Sequence, residues 1–263
     1  MPGRVHIERD GEDGEIGWLI FDHPERRNAL SQNMWSELTD GCAELEADDR
    51  VRVIVMRGAG ETAFVSGADI SQFDQSDGSQ TGSAVQESGG NAFSQLINAT
   101  KPVIAMIHGY CIGGGLAVAL CADMRYAADD ARLGIPAAKL GVGYGMGGVE
   151  ILANLVGLSN AKEILYTAQQ YHADEALQMG LVNAVLSKAE LEDHVRETAT
   201  RIARNAPFTV RSVKRIGREL VKPNSERDHE AVNAAIAACF ESDDFKEGVS
   251  AFMEKRRPEF KGG

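Results

Sequence analysis

HGYCIGGGLAVALCAD, residues 108–123, decides how this chain is read. Three consecutive glycines, Gly113 to Gly115, stand between the apolar run VIAMI (103–107) and a helix-forming run, LAVALC (116–121). A continuous apolar run of five residues opened by Pro102 reads as a buried strand, and the glycines mark a tight turn into a helix. MRYAA (124–128) then returns to strand. From Val103 to Cys121 the single ionisable residue is His108, so the segment could mimic a membrane span. Its four glycines and polar flanks favour a strand running into a helix instead.

Working outward, Val5 and Ile7 alternate with polar residues, positions 10–15 form a Gly/Asp/Glu turn, and Ile16, Trp18 and Ile20 mark a second strand, which together predict a hairpin. Ser31 is placed to cap a helix whose apolar face is Met34, Trp35, Leu38, Cys42 and Leu45. VRVIVMR (51–57) is the next strand. The polar tract Ser71–Gly90 holds few core anchors and reads as a mobile loop and helix. Beyond Gly147 the pattern is mostly helical: VEILANLVG, a helix capped by Ser159, ADEALQMG, a short strand VNAVL, and an amphipathic helix from Lys188 to Asn205 ended by Pro207. The division expected is a core over residues 1–205 and a helical region over 206–263, whose three helices are too small to bury their apolar faces alone.

Composition narrows the function. The chain has 263 residues and a formal net charge of −12, so one large domain with a sizeable core is expected and nucleic acid is disfavoured as partner. The four cysteines, Cys42, Cys111, Cys121 and Cys239, show neither C-x-x-C pairing nor zinc-like spacing with the histidines, so no metal is expected. The start, MPGRVHIERDGEDGE, has no apolar stretch and is too acidic for a transit peptide; the expectation is cytoplasmic, with no membrane partner. GYGMGG (143–148) satisfies G-x-G-x-x-G, but it follows IPAAKLGV rather than a buried strand, which argues against a dinucleotide site.

HPERRNAL (23–30), AFVSGADI (63–70), HGYCIGGGLAVALCAD (108–123) and FMEKRRPEF (252–260) together resemble the signatures of the crotonase, or enoyl-CoA hydratase/isomerase, superfamily, in that family's order. The resemblance implies a mixed α/β spiral of ββα turns, a C-terminal trimerisation region giving a homotrimer or hexamer, and an acyl-CoA thioester as substrate. Coenzyme A would be present only as part of that substrate, with no separate cofactor. It implies that the amides of Ala68 and Gly114 hold the thioester oxygen, as backbone donors that stabilise an enolate. Arg26, Arg27, Ala29, Ala68, Asp69, Ile70 and Lys255 are the matching positions for contacts with the CoA portion.

The chain departs from the family's hydratases at the two glutamates that activate water. Their places are taken by Ala117 and Ala137, neither of which can move a proton. Candidates for proton transfer are Tyr144, in LGVGY, with Asp69, His108 and Glu150. Asp69 is expected to be a hydrogen-bonding residue of its turn, His108 a satisfied buried histidine, and Glu150 a carboxylate favouring a helix start. Three classes stay open: an enzyme with unorthodox enolate chemistry assisted by Tyr144, a weak hydratase, and a non-catalytic acyl-CoA binder or regulatory subunit.

Overall fold

The computed structural model describes residues 3–69 and 89–262. Ile70 and most of the Ser71–Gly90 tract lie outside the described residues.

Strands β1 (Arg4–Asp10) and β2 (Ile16–Asp22) form the expected antiparallel hairpin. Helix α1 (Gln32–Ala47) buries the five apolar residues its spacing singled out. Ser31 occupies the N-cap position, but its hydroxyl donates to Asn33 Oδ1 at 2.6 Å instead of accepting from the helix backbone. After it come β3 (Val53–Gly58), β4 (Ala63–Val65), a helix α2 at 89–98, β5 (Val103–Ile107), β6 (Tyr110–Ile112) and α3 (Gly114–Leu120). The chain continues through β7 (Met124–Ala128), β8 (Arg132–Gly134), α4 (Ala137–Leu140) and α5 (Met146–Thr167). Then follow β9 (Tyr171–His172), α6 (Ala173–Gln178), β10 (Ala184–Leu186), α7 (Leu191–Ala203), α8 (Pro207–Leu220), α9 (His229–Glu241) and α10 (Asp243–Glu254).

Two sheets organise these elements, in the orders β1-β2-β3-β5-β7-β10 and β4-β6-β8-β9. Each winding of the chain lays one strand in the larger sheet and one short strand in the smaller, and then turns into a helix. The windings β3-β4-α2, β5-β6-α3 and β7-β8-α4 repeat that path, and parallel pairing sets successive windings side by side. The first winding has the same outline: β2 leads to Leu30, which bridges Ala68 in parallel, and then to α1. This is the mixed α/β spiral expected. The smaller sheet escaped the sequence reading, because two or three residues per strand are too few to show a period.

Two apolar layers flank the larger sheet. One holds Phe21, Met34, Trp35, Leu38, Ile54, Phe64 and Leu116; the other holds Trp18, Val55, Ile104 and the buried side of α7, with Leu191, Val195 and Ala199. Both faces are therefore covered, as a mostly parallel sheet requires. Helix α5 breaks at Gly157 (φ 77°), two residues before the expected cap at Ser159. Pro207 starts α8, its missing N–H costing nothing in the first turn. Helix α8 is tied to the core by Lys214, which pairs with Asp123 at 2.8 Å and donates to Lys101 O, and by Arg218, which donates to Ala99 O.

Cys42, Cys111 and Cys121 are buried free thiols. Burial pushes Cys42 and Cys121 up to about 12, raises Cys111 as well, and pushes the Tyr144 phenol up to about 12. A group whose folded pKa is raised contributes stability below its unfolded pKa and loses it as pH climbs through the window up to the folded value. Each such group lowers the unfolding free energy by about 1.4 kcal/mol per pH unit inside that window. Burial shifts Lys101 and Lys214 downward and offsets part of this near their ordinary range. Urea midpoints are expected to fall steadily from pH 8 to pH 10; a flat profile would contradict the burial of the thiols.

Candidate active site

The site grows from the corners where two successive windings leave the smaller sheet. Ala68 follows β4 and Gly114 follows β6, and the parallel pairing of those strands, with Val65 opposite Cys111, aligns the corners. A glycine with positive φ precedes each amide: Gly67 at φ +124° and Gly113 at φ +57°. Only glycine adopts such turns without strain. Leu30 N–H donates to Gly67 O and Asp69 N–H donates to Leu30 O, both at 2.8 Å. In a parallel bridge that alternation turns the Ala68 N–H away from Leu30. Gly114 is the first residue of α3, where N–H groups have no partner within the helix.

The two amides meet in one place. A Cβ on Gly114 would stand 3.5 Å from Ala68 N and 3.7 Å from Trp35 Cζ2, ordinary contact distances. A Cβ on Gly115 would lie 2.1 Å from Val65 O, so that glycine lets α3 sit against β4. Gly113 faces Pro136 Cδ across 3.8 Å from its own Cβ position, which brings the fourth winding, with Ala137, to the edge of the same spot. Ala117 stands one turn along α3 from Gly114.

The loop before α1 is stitched to the corner after β4. Buried Asn28, itself at φ 57°, accepts from His23 N–H and donates to the carbonyls of Ala59 and Ala63. Ser66 N–H donates to Arg27 O at 3.1 Å. The motif HPERRNAL assigns Asn28 no role by itself; the signal it carries is that Asn tolerates left-handed backbone. On this scaffold the half-exposed Arg26 pairs with buried Asp69 at 2.8 Å. Asp69 is thus engaged as the hydrogen-bonding residue of its turn that the sequence suggested. Arg27 lays its guanidinium over the Tyr110 ring, 4.8 Å from the centroid, and Ala29 is buried with its carbonyl 3.3 Å from His23 Nδ1.

The remaining candidates sit on other elements. The Tyr144 ring packs against Gly148 and the core; burial and, second, the Cys121 thiol raise its phenol, which therefore stays protonated at neutral pH. Cys121 closes α3, on the face that also carries Gly114 and Ala117. Glu150 is exposed and lies beyond the first turn of α5, which holds no acidic residue, so it does not serve the helix start as expected. Lys255 is exposed and ends α10 in left-handed backbone.

His108 corrects an expectation. It is buried, but its Nε2 has no hydrogen-bond partner among the described residues, so it is not a satisfied histidine. Burial lowers its pKa and keeps it neutral, and its charged neighbours are Lys188, Asp130, Arg57 and Glu61. Three of these line a polar cleft of about 370 Å³ with Gly109 and Tyr110, at the end of β6 opposite the glycine turn.

A two-sheet α/β spiral whose successive corners lie side by side defines a class of protein, and comparison places the chain within it. The family model described as Enoyl-CoA hydratase/isomerase matches residues 11–263. The chain is 35% identical over 248 residues to the short-chain-enoyl-CoA hydratase of Clostridium acetobutylicum, covering 94% of this chain and 95% of that one. It is 32% identical over 266 residues to the carnitinyl-CoA dehydratase of Escherichia coli strain K12, covering 100% of both. The crystal structure of an enoyl-CoA hydratase/carnithine racemase from Magnetospirillum magneticum superposes with a TM-score of 0.92 at 32% identity, covering 98% of this chain and 96% of that one. The chain belongs to the enoyl-CoA hydratase/isomerase (crotonase) family.

Proposed function

We propose that this protein binds an acyl-CoA thioester with the carbonyl oxygen between the amides of Ala68 and Gly114, and that it stabilises the enolate formed there. The convergence of the two amides carries the reading, since backbone donors fixed before the reaction stabilise developing charge without reorganising. The names of the relatives, a hydratase and a dehydratase of CoA thioesters, agree with the substrate class. Arg26, Arg27, Ala29, Asp69, Ile70 and Lys255 would hold the CoA portion. Arg26 is steadied in this position by its pair with Asp69.

The reaction is enolate chemistry other than efficient water addition, because alanines stand at 117 and 137. Tyr144 is the proton donor in this reading: a phenol held near 12 gives up a proton to an enolate carbon more readily than it takes one. Tyr144→Phe is expected to lower turnover of the active thioester at least tenfold and leave its affinity nearly unchanged. Unaltered turnover would clear Tyr144. For the binding mode itself, the test is a crystal structure with a non-reactive thioester; a carbonyl oxygen beyond hydrogen-bond distance of both amides would overturn it.

The assembly we propose is a homotrimer or a pair of trimers. Helix α9 buries no residue, and Phe240, Val249, Phe252 and Met253 on α9 and α10 are exposed. Light scattering should give three or six times the chain mass of 28.3 kDa; a stable monomer would count against it.

A further inference from the structure

We infer that Trp35 limits the length of the acyl group, its indole forming the wall behind the Gly114 amide. The inference rests on the thioester reading above and adds to it which acyl groups are taken.

The helices of three successive windings meet at this residue. Trp35 belongs to the buried face of α1 and is 3% exposed. Its Cζ2 lies 3.7 Å from the point where a Gly114 Cβ would be, and that same point is 3.5 Å from Ala68 N. The indole edge and both amides therefore surround one small volume. On the same edge of the ring, the adjoining Cη2 comes within 3.9 Å of the Cβ position of Gly89, in α2. Phe93, also in α2, meets the ring edge to face, with centroids 5.5 Å apart and planes at 84°. That one edge of the indole thus reaches the first residue of α3 and the first residue of α2 together, and Phe93 packs against the ring from α2.

A side chain of that size, buried and packed against Phe93, does not swing away as a methionine or leucine could. An acyl chain entering beside the amides is stopped after a short run of carbons, and the site takes short acyl groups. Shortening the side chain would open an apolar cavity next to the oxyanion position. Apolar cavities of that kind stay dry and accept hydrocarbon.

The test measures affinities of the full chain for butanoyl-, hexanoyl-, octanoyl- and decanoyl-CoA by calorimetry, with free CoA as reference, for the wild type, Trp35→Phe and Trp35→Ala. Wild-type affinity is expected to stop rising, or to fall, beyond the shortest chains. Trp35→Ala should gain roughly fourfold per added methylene over the next few carbons, with Trp35→Phe between them and butanoyl-CoA little changed. The same chain-length profile in all three proteins would overturn the inference. A wild type that binds no thioester overturns the thioester reading itself, and this inference with it. Should Trp35→Ala fail to fold, Trp18→Phe leaves Trp35 as sole tryptophan. Its emission should then shift with butanoyl-CoA and not with free CoA, and an unchanged spectrum at saturating thioester would refute the contact.

Discussion

Crotonyl-CoA is expected to be hydrated very slowly by this protein, and the variant carrying Ala117→Glu and Ala137→Glu is expected to hydrate it at least 100-fold faster. General acid/base catalysis contributes roughly 100-fold to 10,000-fold, and the resemblance puts both groups that supply it at these positions. Ala117 lies one turn along α3 from the Gly114 amide, and Ala137 follows Pro136, whose Cδ lies 3.8 Å from the Cβ position of Gly113. Both alanines are half-buried, so the added carboxylates face the site with partial access to water. Asp69 cannot stand in, being held by Arg26, and Glu150 is exposed beyond the first turn of α5. The measurement is loss of the enoyl absorbance under saturating substrate. Robust hydration by the wild type would refute the reading of the two alanines, and a double variant no faster than the wild type would remove them from the site.

Two neighbouring glycines are expected to fail in different ways when changed to alanine. In Gly115→Ala the new Cβ would sit 2.1 Å from Val65 O and 2.8 Å from Val65 C, backbone atoms of β4 that pair with β6. Helix α3 would have to move off the smaller sheet, at a cost of about 3 kcal/mol or more, the upper end of what overpacking a core does. In Gly114→Ala the nearest atoms are no closer than 3.5 Å, and alanine is the better helix former, so the fold should hold or gain slightly. The methyl would instead stand beside the Ala68 N–H, 3.5 Å from its nitrogen, and take up room proposed for the thioester oxygen. Loss of one oxyanion donor costs roughly 100-fold to 1,000-fold in turnover, and that is the drop expected. Denaturant melts beside turnover separate the two cases; a Gly114→Ala protein with full activity would rule out the Ala68 and Gly114 amides as the oxygen's holders.

Much of this protein could be read without its coordinates wherever the information is local. The strands 103–107 and 124–128, and the apolar face of α1, follow from runs and periods within a few residues, and they lie where those runs put them. The need for glycine at 113 was visible because backbone that must turn sharply tolerates little else. The two alanines at 117 and 137 are legible as residues that carry no proton.

What the sequence left open depends on which distant segments lie side by side. The smaller sheet is built of two- and three-residue strands with no period of their own, held by parallel pairing between windings. That pairing alone brings Ala68 against Gly114. It also sets Arg26 on Asp69, and it carries Trp35, legible in the sequence only as a core residue, to the wall beside the amides. His108 reads as an ordinary core histidine until burial and pairing strip its Nε2 of a partner. Spacing along a chain encodes which face of an element is apolar; it does not encode which element that face will meet, because that is settled by the summed packing of all the windings at once.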